Sequence, residues 1–303
     1  MKTRIVKLRF SGLVHFGRKR LTDGERVFAA DTFFSSLFIE AVALSMDTDW
    51  LLQDLVLSDA FPYIGEQLYL PKPLIKFEAQ SSDETNHKLY KKLNYIPVSS
   101  YHRYLQGEIN PEQVKIWQEK FELGTEFLMD KVSLSDTTNG GDSRPYGVGS
   151  YAYGPDAGVY LILQAEDVVI ERLKQVLDSL QYSGIGGKRS SGYGRFQYEL
   201  MTNDKLVELL NVSLGYHILL STAMTKEPEL SEALSGARYL LKKRSGFVQS
   251  TDYEQTLVKK KDFYSFVPGS VFQKAFSGEI FDVGENGGHP IYRYAKAIWL
   301  GVS

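Results

Sequence analysis

The sequence predicts an α+β protein made of two ferredoxin-like units in tandem, over residues 1–203 and 204–303. First, the elements before residue 203 run strand, helix, strand pair, helix, glycine-rich loop and strand, which is the order of a βαββαβ unit. Second, a similar but degenerate order begins again after Asn203. Third, the chain has 303 residues, more than a common single domain, and its 43% hydrophobic and 24% charged residues exclude global disorder.

Local patterns justify each element of the first unit. Thr3–Phe10 alternates apolar and charged residues, which predicts a strand with one buried face. Asp31 is a candidate N-cap for a helix whose apolar residues recur at helical spacing. A hairpin is expected at Tyr63–Leu70 and a central strand at Gly158–Ala165. Asp167–Tyr182 carries another apolar stripe of helical period, and the serine and glycine after it end that helix.

Residues 76–150 interrupt this pattern. The stretch has a polar run at Ser81–His87 and a turn rich in Gly and Asp at Thr137–Gly149, and it lacks the alternation of the flanking strands. Only Pro111–Leu123 has the signature of a helix, with Asn110 as cap and proline in the first turn. We therefore predict an insertion that is less regular than the core and whose deletion leaves the core folded.

The second unit is expected to repeat the arrangement of the first in degenerate form. An apolar strand is predicted at Val212–Leu220 and a short helix near Pro228–Leu234. Strands are expected around Arg238–Ser250 and Lys261–Val267. A last strand, Ile291–Val302, is expected in the same sheet as these two.

Composition excludes several classes of function. Without cysteine the chain has no disulfide, thiolate ligand or thiol nucleophile, and no apolar run approaches the roughly 20 residues that cross a bilayer. None of the five histidines has another three to five positions away, so no helix-borne metal site is expected. Lys188 does not end a P-loop, because Tyr182 and Arg189 stand where the motif needs glycine and a hydroxyl residue. We expect a cytoplasmic protein with no cofactor and no bound metal.

Three clusters of cations stand out, although the formal net charge is only −2. The first 20 residues carry seven Lys and Arg and no acidic residue. The second cluster is Lys188, Arg189 and Arg195, and the third runs from Arg238 to Lys261. Tyr and Phe are interleaved with the cations, and cations hold a phosphate backbone while aromatic rings stack on bases. A nucleic acid is the expected partner, while a solvated strand face is the simpler interpretation of any one cluster.

The segment Gly184–Phe196 reads GIGGKRSSGYGRF and leads into a predicted strand. Five glycines within its first eleven residues cost backbone entropy on ordering, which indicates close approach of another chain or a ligand. Its cations, serine hydroxyls and backbone N–H groups are suited to phosphate oxygens. We call this segment, as far as residue 194, the glycine-rich loop.

Individual site residues follow from these patterns. The expected RNA contacts are His15, Lys19, Arg20, Gly184, Gly186, Gly187, Lys188, Arg189, Ser190, Ser191, Gly192, Tyr193, Lys243, Arg244, Phe247, His289 and Arg293. In the third cluster, strand alternation places Lys242 and Arg244 on one face and Lys243 on the other. His15 is also a candidate general base toward a ribose 2′-hydroxyl, and Asp31 a candidate metal or phosphate ligand. A hydrogen-bonding loop histidine and a helix cap are the simpler interpretations.

Six segments of the chain resemble one family. They are FSGLVHFG at 10–17, DTFFSSL at 31–37, the glycine-rich GIGGKRSSGYGRF at 184–196, GSVF at 269–272, GEIFDV at 278–283 and HPIYRYAKAIWLGV at 289–302. Together they are similar to the Csm subunit four family, which are RAMP proteins of type III-A CRISPR effector complexes. The glycine-rich segment is shared by RAMP proteins in general, whereas the C-terminal block is more specific.

The resemblance implies tandem ferredoxin-like (RRM-like) units with a thumb inserted in the first, which suits residues 76–150. It implies a non-catalytic subunit that grips the 5′ repeat-derived tag of the guide RNA, close to the target RNA, in antiviral defence. Its implied protein partners are the large polymerase/cyclase subunit and the filament of the backbone RAMP subunit. That backbone subunit cuts target RNA with an aspartate in an early loop. Asp31 lies in a comparable region, yet we expect it to cap a helix and expect no catalytic residue in this chain.

Two other functions are compatible with the sequence. A RAMP endoribonuclease that processes precursor guide RNA by metal-independent acid–base cleavage would use His15 as its base. The glycine loop of such enzymes lies close to the C-terminus, however, whereas residues 197–303 follow it here. A protein scaffold would instead use the basic loops to bind acidic protein surfaces, with no RNA.

Overall fold

A computed structural model describes residues 1–75, 84–133, 144–248, 258–285 and 287–301. The strands are β1 (Lys2–Phe10), β2 (Phe16–Gly17), β3 (Gly24–Glu25), β4 (Val56–Leu57), β5 (Phe61–Ile64), β6 (Gln67–Pro71), β7 (Tyr95–Pro97), β8 (Gly124–Ser133), β9 (Arg144–Tyr153), β10 (Ala157–Ala165), β11 (Phe196–Met201), β12 (His217–Leu219), β13 (Leu241–Arg244), β14 (Phe263–Phe266), β15 (Val271–Phe272), β16 (Gly278–Asp282), β17 (Tyr292–Lys296) and β18 (Trp299–Leu300). The helices are α1 (Ala30–Ala43), α2 (Asp49–Gln53), α3 (Glu84–Lys92), α4 (Val98–Leu105), α5 (Pro111–Lys120), α6 (Asp167–Ser183), α7 (Asp204–Leu210) and α8 (Leu230–Leu234).

The largest sheet joins the strands of the predicted first unit. Its order is β11-β1-β10-β5-β6-β7, with all neighbours antiparallel, and β4 also pairs with β10. Helix α1 follows β1, and α6 connects β10 to β11. The strands β1, β5, β10 and β11 with these two helices therefore have the βαββαβ order that the sequence predicted. The predicted hairpin, central strand and second helix are confirmed as β5–β6, β10 and α6.

Both faces of this sheet are buried. Val6 and Leu8 of β1 lie in one apolar core with α1 and α6, while Ile5 lies on the opposite face in a second core. Lys7 is only 9% exposed, and its Nζ lies 4.6 Å from the ring centre of Tyr63. The expectation of one buried face is therefore wrong, because helices α4, α5 and α7 cover the second face.

The insertion is more regular than the sequence indicated. It holds α3, α4, α5 and the hairpin β8–β9, whose strands pair along their whole length. Helix α5 begins as expected, with Pro111 in its first turn and the Asn110 side chain accepting the Gln113 N–H at 2.8 Å. Tyr101 and Val114 are fully buried in the second core. Deleting the whole insertion would remove part of that core, so the expectation of an intact core without it is wrong.

The C-terminal part forms several small sheets instead of one. Strands β15-β12-β18 make a three-stranded sheet, and β13 with β14 and β16 with β17 make two separate hairpins. The predicted last strand divides into β17, which packs on α1, and β18, which pairs with β12. Its expected place in one sheet with β13 is therefore wrong, because this segment serves two cores in succession.

Helix α7 was not predicted from the sequence. Its cap is Asn203, whose side chain accepts the Leu206 N–H at 3.0 Å. Leu206, Leu209 and Leu210 form its buried face. The capping residue and this leucine spacing are the signals that could have revealed it.

Parts of four expected features lie outside the described residues. These parts are residues 81–83 of the polar run, 137–143 of the Gly-rich turn, 249–250 of the strand expected after Arg238 and 302 of the last strand.

Candidate nucleic-acid interface

The glycine-rich loop begins where α6 ends and is built on left-handed backbone conformations. Gly184 ends the helix with a φ of 80°, and Lys188 and Gly192 have φ values of 59° and 81°. A single 3-10 turn at Arg189–Ser191 lies between Lys188 and Gly192. It is closed by the Ser191 N–H, which donates to the Lys188 oxygen at 2.9 Å. A left-handed residue followed by a helical one turns successive backbone N–H groups toward one side, which is a common anion-binding arrangement.

The glycines of the loop are explained by contacts within this chain. The Gly187 N–H donates to the His15 oxygen at 2.9 Å, and the Gly194 N–H donates to the Leu13 oxygen at 2.9 Å. A Cβ on Gly186 would lie 2.7 Å from the His15 oxygen, at a φ of 94° that already favours glycine. The close approach that the glycines predicted is made at these positions by the segment after β1, not by a separate ligand.

His15 lies beneath the loop. The residue is 6% exposed, and its Nδ1 lies 2.6 Å from the Gly149 oxygen, so Nδ1 carries a proton and donates it. The imidazole ring fills the space beside Gly17 and Gly187. A Cβ added to Gly17 would lie 3.3 Å from the ring, and one added to Gly187 would lie 2.8 Å from it. The position fits a hydrogen-bonding loop histidine, and a substrate could reach the imidazole only if the loop moved.

Lys19 and Arg20 are exposed on the turn that joins β2 to β3. This turn lies on β9, because the Gly149 N–H donates to the Leu21 oxygen at 2.9 Å. Gly149 also accepts from His15, which contacts the glycine-rich loop. The structure therefore brings the basic turn and the loop to one edge of the protein.

The hairpin β8–β9 adds side chains that sequence reasoning missed. The Nζ of Lys188 lies 4.6 Å from the ring centre of Tyr146 and 3.3 Å from its hydroxyl. The Nζ of Lys131 lies 4.4 Å from the ring centre of Tyr193, whose hydroxyl is 3.2 Å from the Ser150 Oγ. Lys131 and Tyr146 are directly opposite each other in the hairpin. No local pattern in the sequence marks Lys131 or Tyr146, because the loop residues that they contact, Tyr193 and Lys188, lie at least 42 residues away in sequence.

Two cations of the third cluster face the protein itself. Lys242 and Arg244 share one face of β13, as alternation predicted, and this face is turned toward the N-terminal part of the chain. The Nζ of Lys242 lies 2.7 Å from the Glu25 carboxylate, and the Nε of Arg244 lies 2.9 Å from the Asp31 carboxylate. Lys243 is on the opposite, exposed face, where its Nζ lies 2.7 Å from the Asp262 carboxylate.

Asp31 is the centre of this cluster and not a helix cap. The N–H of Ala30 at the start of α1 donates instead to Asp59 at 2.9 Å. The Asp31 side chain is 1% exposed and lies between Arg244 and Arg293, with the Nη1 of Arg293 at 2.6 Å. Burial would raise the pKa of Asp31, but the two guanidinium groups outweigh it and lower the pKa to about 2. The predicted cap is therefore wrong, because its carboxylate pairs with cations from the C-terminal part.

Asp59 ties the C-terminal part to the same region. Its carboxylate accepts the Thr222 N–H at 2.6 Å and the Thr222 hydroxyl at 2.8 Å, besides the N–H of Ala30. Burial raises the pKa of Asp59 to about 6, although these hydrogen bonds act in the opposite direction. Asp31 and Asp59 therefore both join α1 to the C-terminal part, and they titrate in different pH ranges.

The remaining predicted contacts are spread over the surface. Ser190 and Ser191 are exposed in the loop, and Phe247 is 54% exposed after β13. His289 is exposed before β17, where its Nδ1 donates to the Pro290 oxygen at 3.0 Å. Contacts of these residues with RNA stay predictions.

Within the described ranges, no group of three His, Asp or Glu side chains is placed to hold a metal ion. None of the helices described is long and apolar enough to cross a membrane.

Comparison with known proteins gives a consistent family. A family model described as the CRISPR Csm4 C-terminal domain matches residues 214–302. A Mycobacterium tuberculosis protein, "CRISPR system Cms protein Csm4", is 33% identical over 308 residues, which cover 99% of this chain and 98% of the relative. The Streptococcus thermophilus protein of the same description is 31% identical over 94% of both chains.

Solved structures share the fold at lower identity. A chain of the Csm3-Csm4 subcomplex of the type III-A CRISPR-Cas interference complex is similar over 100% of both chains, with a TM-score of 0.68 and 17% identity. A chain of the Csm1-Csm4 cassette in complex with cA4 is similar over 99% of this chain and 98% of that one, with a TM-score of 0.62 and 19% identity. These likenesses confirm the mixed α+β fold, and the identity to the relatives over nearly the whole chain shows that this protein belongs to the Csm4 family.

Proposed function

We propose that this chain is a non-catalytic RNA-binding subunit of a type III-A CRISPR ribonucleoprotein. Its RNA surface consists of the glycine-rich loop, the basic turn with Lys19 and Arg20, and the part of the hairpin β8–β9 around Lys131 and Tyr146. The ligand is the 5′ repeat-derived tag of the guide RNA, close to the target RNA. Membership of the Csm4 family supports the complex, and the placement of the cations supports the surface.

One observation carries the RNA-binding part of this proposal. Lys188 and Arg189 project from a fixed turn and, in the part of the chain that the structure describes, neither is paired with a carboxylate. The side chains of Lys19 and Arg20 on the neighbouring turn are likewise exposed and not paired with a carboxylate among the described residues. Cations that are held in place but not neutralised are suited to phosphate oxygens, and backbone N–H groups of the turn add further donors.

The protein partners are proposed from relatives. One similar chain was solved with Csm3 and another with Csm1. We infer that this chain likewise contacts a backbone RAMP subunit and a large polymerase/cyclase subunit. It would thereby link the two in a cytoplasmic antiviral complex.

The endoribonuclease alternative is less well supported. It needs His15 as a general base, but His15 is 6% exposed and its Nδ1 donates to the Gly149 oxygen. Asp31 could serve a metal only if it left two arginines, and the low pKa reflects the strength of that pairing. We therefore expect neither side chain to cut RNA.

Binding of a fluorescent tag RNA to the full chain tests the proposal. The double substitution Lys188→Ala and Arg189→Ala should weaken binding and lower the log–log salt slope by about 0.7 for each phosphate that is no longer bound. A matched control removes the exposed Lys115 and Lys174, which lie on α5 and α6. If the loop variant kept the parent's affinity and slope, the loop would not be part of the RNA surface.

A further inference from the structure

We propose that the glycine-rich loop is only half of a phosphate site, and that Lys131 from the hairpin β8–β9 supplies the other half. In this site Lys131 and Lys188 each bind a phosphate of single-stranded RNA, and the rings of Tyr193 and Tyr146 position the two ammonium groups. The inference rests on the proposed function and adds residues from the insertion, which the sequence places beside the guide RNA without indicating any single contact residue.

The two lysines are arranged reciprocally. Lys188 comes from the loop and lies over Tyr146 of the hairpin, at 4.6 Å from the ring centre. Lys131 comes from the hairpin and lies over Tyr193 of the loop, at 4.4 Å. Each element therefore holds the cation of the other, and the two ammonium groups flank the junction between loop and hairpin.

One of the two rings is buried, and both belong to ordered backbone. Tyr193 is 5% exposed, and its hydroxyl lies 3.2 Å from the Ser150 Oγ. Tyr146 lies in β9, directly opposite Lys131 in the ladder. Because both rings belong to ordered backbone, each lysine loses little further freedom when an anion arrives.

The charge of the junction points to an anion. Among the described residues, neither Lys131 nor Lys188 is paired with a carboxylate, and both are only partly exposed. An aromatic face attracts a cation without neutralising it, whereas a phosphate oxygen forms a charge-assisted hydrogen bond. A phosphate can therefore bind each ammonium group either together with the ring or in place of it.

Tag binding to the full chain as a function of salt tests the site. Lys131→Met and Lys188→Met should each weaken binding several-fold and each lower the log–log salt slope by about 0.7, and the double variant should lower it by about 1.4. Lys131→Arg keeps the charge and should keep the slope. Lys115→Met, an exposed cation on α5, is the matched control and should change neither quantity.

The positioning role of Tyr146 has its own readout. Tyr146→Leu removes the ring, so affinity should fall while the salt slope stays at the parent's value, because both lysines remain. Tyr146→Phe keeps the ring and should restore most of the affinity. Equal reductions of affinity in the Leu and Phe variants would overturn the role of the ring.

The outcomes separate this inference from the proposed function. Parent-like affinity and slope in Lys131→Met, together with weakened binding in the Lys188 and Arg189 variant, would overturn the two-part site and leave the proposed function standing. Parent-like binding in all of these variants would overturn both. Circular dichroism of each variant shows whether it is folded, and the corresponding Gln variant is measured in place of any Met variant that is not.

Discussion

The glycine-rich loop and the hairpin β13–β14 carry the same kind of sequence, adjacent cations beside small and aromatic residues, but they face different surroundings. Lys188 of the loop lies over an aromatic ring, and no carboxylate is paired with it in the described part of the chain. Lys242 and Arg244 of the hairpin lie against the carboxylates of Glu25 and Asp31. A run of cations therefore identifies an RNA surface only when it is known which of them are paired with carboxylates of the same chain.

The difference has an energetic consequence. A buried ion pair contributes little net stability over an apolar contact, but removal of one partner leaves a costly uncompensated charge. The hairpin cations are therefore structural ties between the two halves of the chain. The loop cations cost little to remove, and their removal should affect only what they bind.

The largest expected effect is on the Asp31 cluster. Asp31→Asn leaves Arg244 and Arg293 without a negative partner in a buried site, so the free energy of unfolding should fall by about 3–5 kcal/mol. Glu25→Gln, at a more exposed pair, is the control and should cost about 1 kcal/mol or less. Urea unfolding measures both. Unchanged stability in Asp31→Asn, with altered tag affinity, would show that the hairpin cations face RNA after all.

The second prediction concerns the pH dependence of stability through Asp59. Its pKa is about 6 in the fold against an ordinary 3.8, so the native state binds more protons between these values. Stability from this group is thus greatest below the ordinary pKa of 3.8 and is lost as the pH rises through 6, by about 3 kcal/mol in total once the pH is above about 7. Asp59→Asn keeps an acceptor for the N–H groups and should lose this dependence.

Urea unfolding at pH 4, 5, 6 and 7 checks the Asp59 prediction. The exposed Glu208→Gln serves as control and should keep the pH dependence of the parent. Identical pH profiles for the parent and Asp59→Asn would contradict the raised pKa.

A third prediction tests whether the shape of the loop is set by its internal contacts. Gly186→Ala places a Cβ 2.7 Å from the His15 oxygen at a φ of 94°, so it should cost about 1–3 kcal/mol and weaken tag binding. Gly12→Ala is the matched control, since a Cβ there meets nothing within 4 Å. Thermal unfolding and tag titration measure the two effects. A neutral Gly186→Ala would mean that the loop glycines serve a ligand and not the fold.

The smallest expected effect on stability separates the two faces of β13. Lys243→Glu breaks the exposed ion pair between Lys243 and Asp262, whose charged atoms lie 2.7 Å apart, so it should lower the free energy of unfolding by about 1 kcal/mol or less while weakening tag binding. Arg244→Glu would instead place a second carboxylate beside Asp31 and should strongly destabilise the fold. If both residues were exposed, as the sequence alone predicts, reversing the two charges would leave stability nearly unchanged. The buried pair of Arg244 with Asp31 makes that expectation wrong. Parent-like tag affinity in Lys243→Glu would remove the outer face from the RNA surface.

Patterns within a few residues predicted much of the fold. The apolar stripe and terminal glycine of α6, the cap and proline of α5 and the apolar run of β10 are all local, and all three elements are confirmed. The βαββαβ order and the family resemblance follow from the same local signals in sequence. The glycine-rich loop was located in the same way, because four of its glycines have positive φ values, which glycine adopts most readily.

Partners that are distant in sequence were decided only by the tertiary structure. Arg244 and Arg293 meet Asp31 across 213 and 262 residues, so a capping pattern at Asp31 could not reveal them. The buried role of the insertion and the contact of Lys131 with Tyr193 arise in the same way. The physical reason is that helical and strand periods depend on neighbouring residues, whereas charge pairing and burial depend on which distant segments the fold brings within a few ångströms.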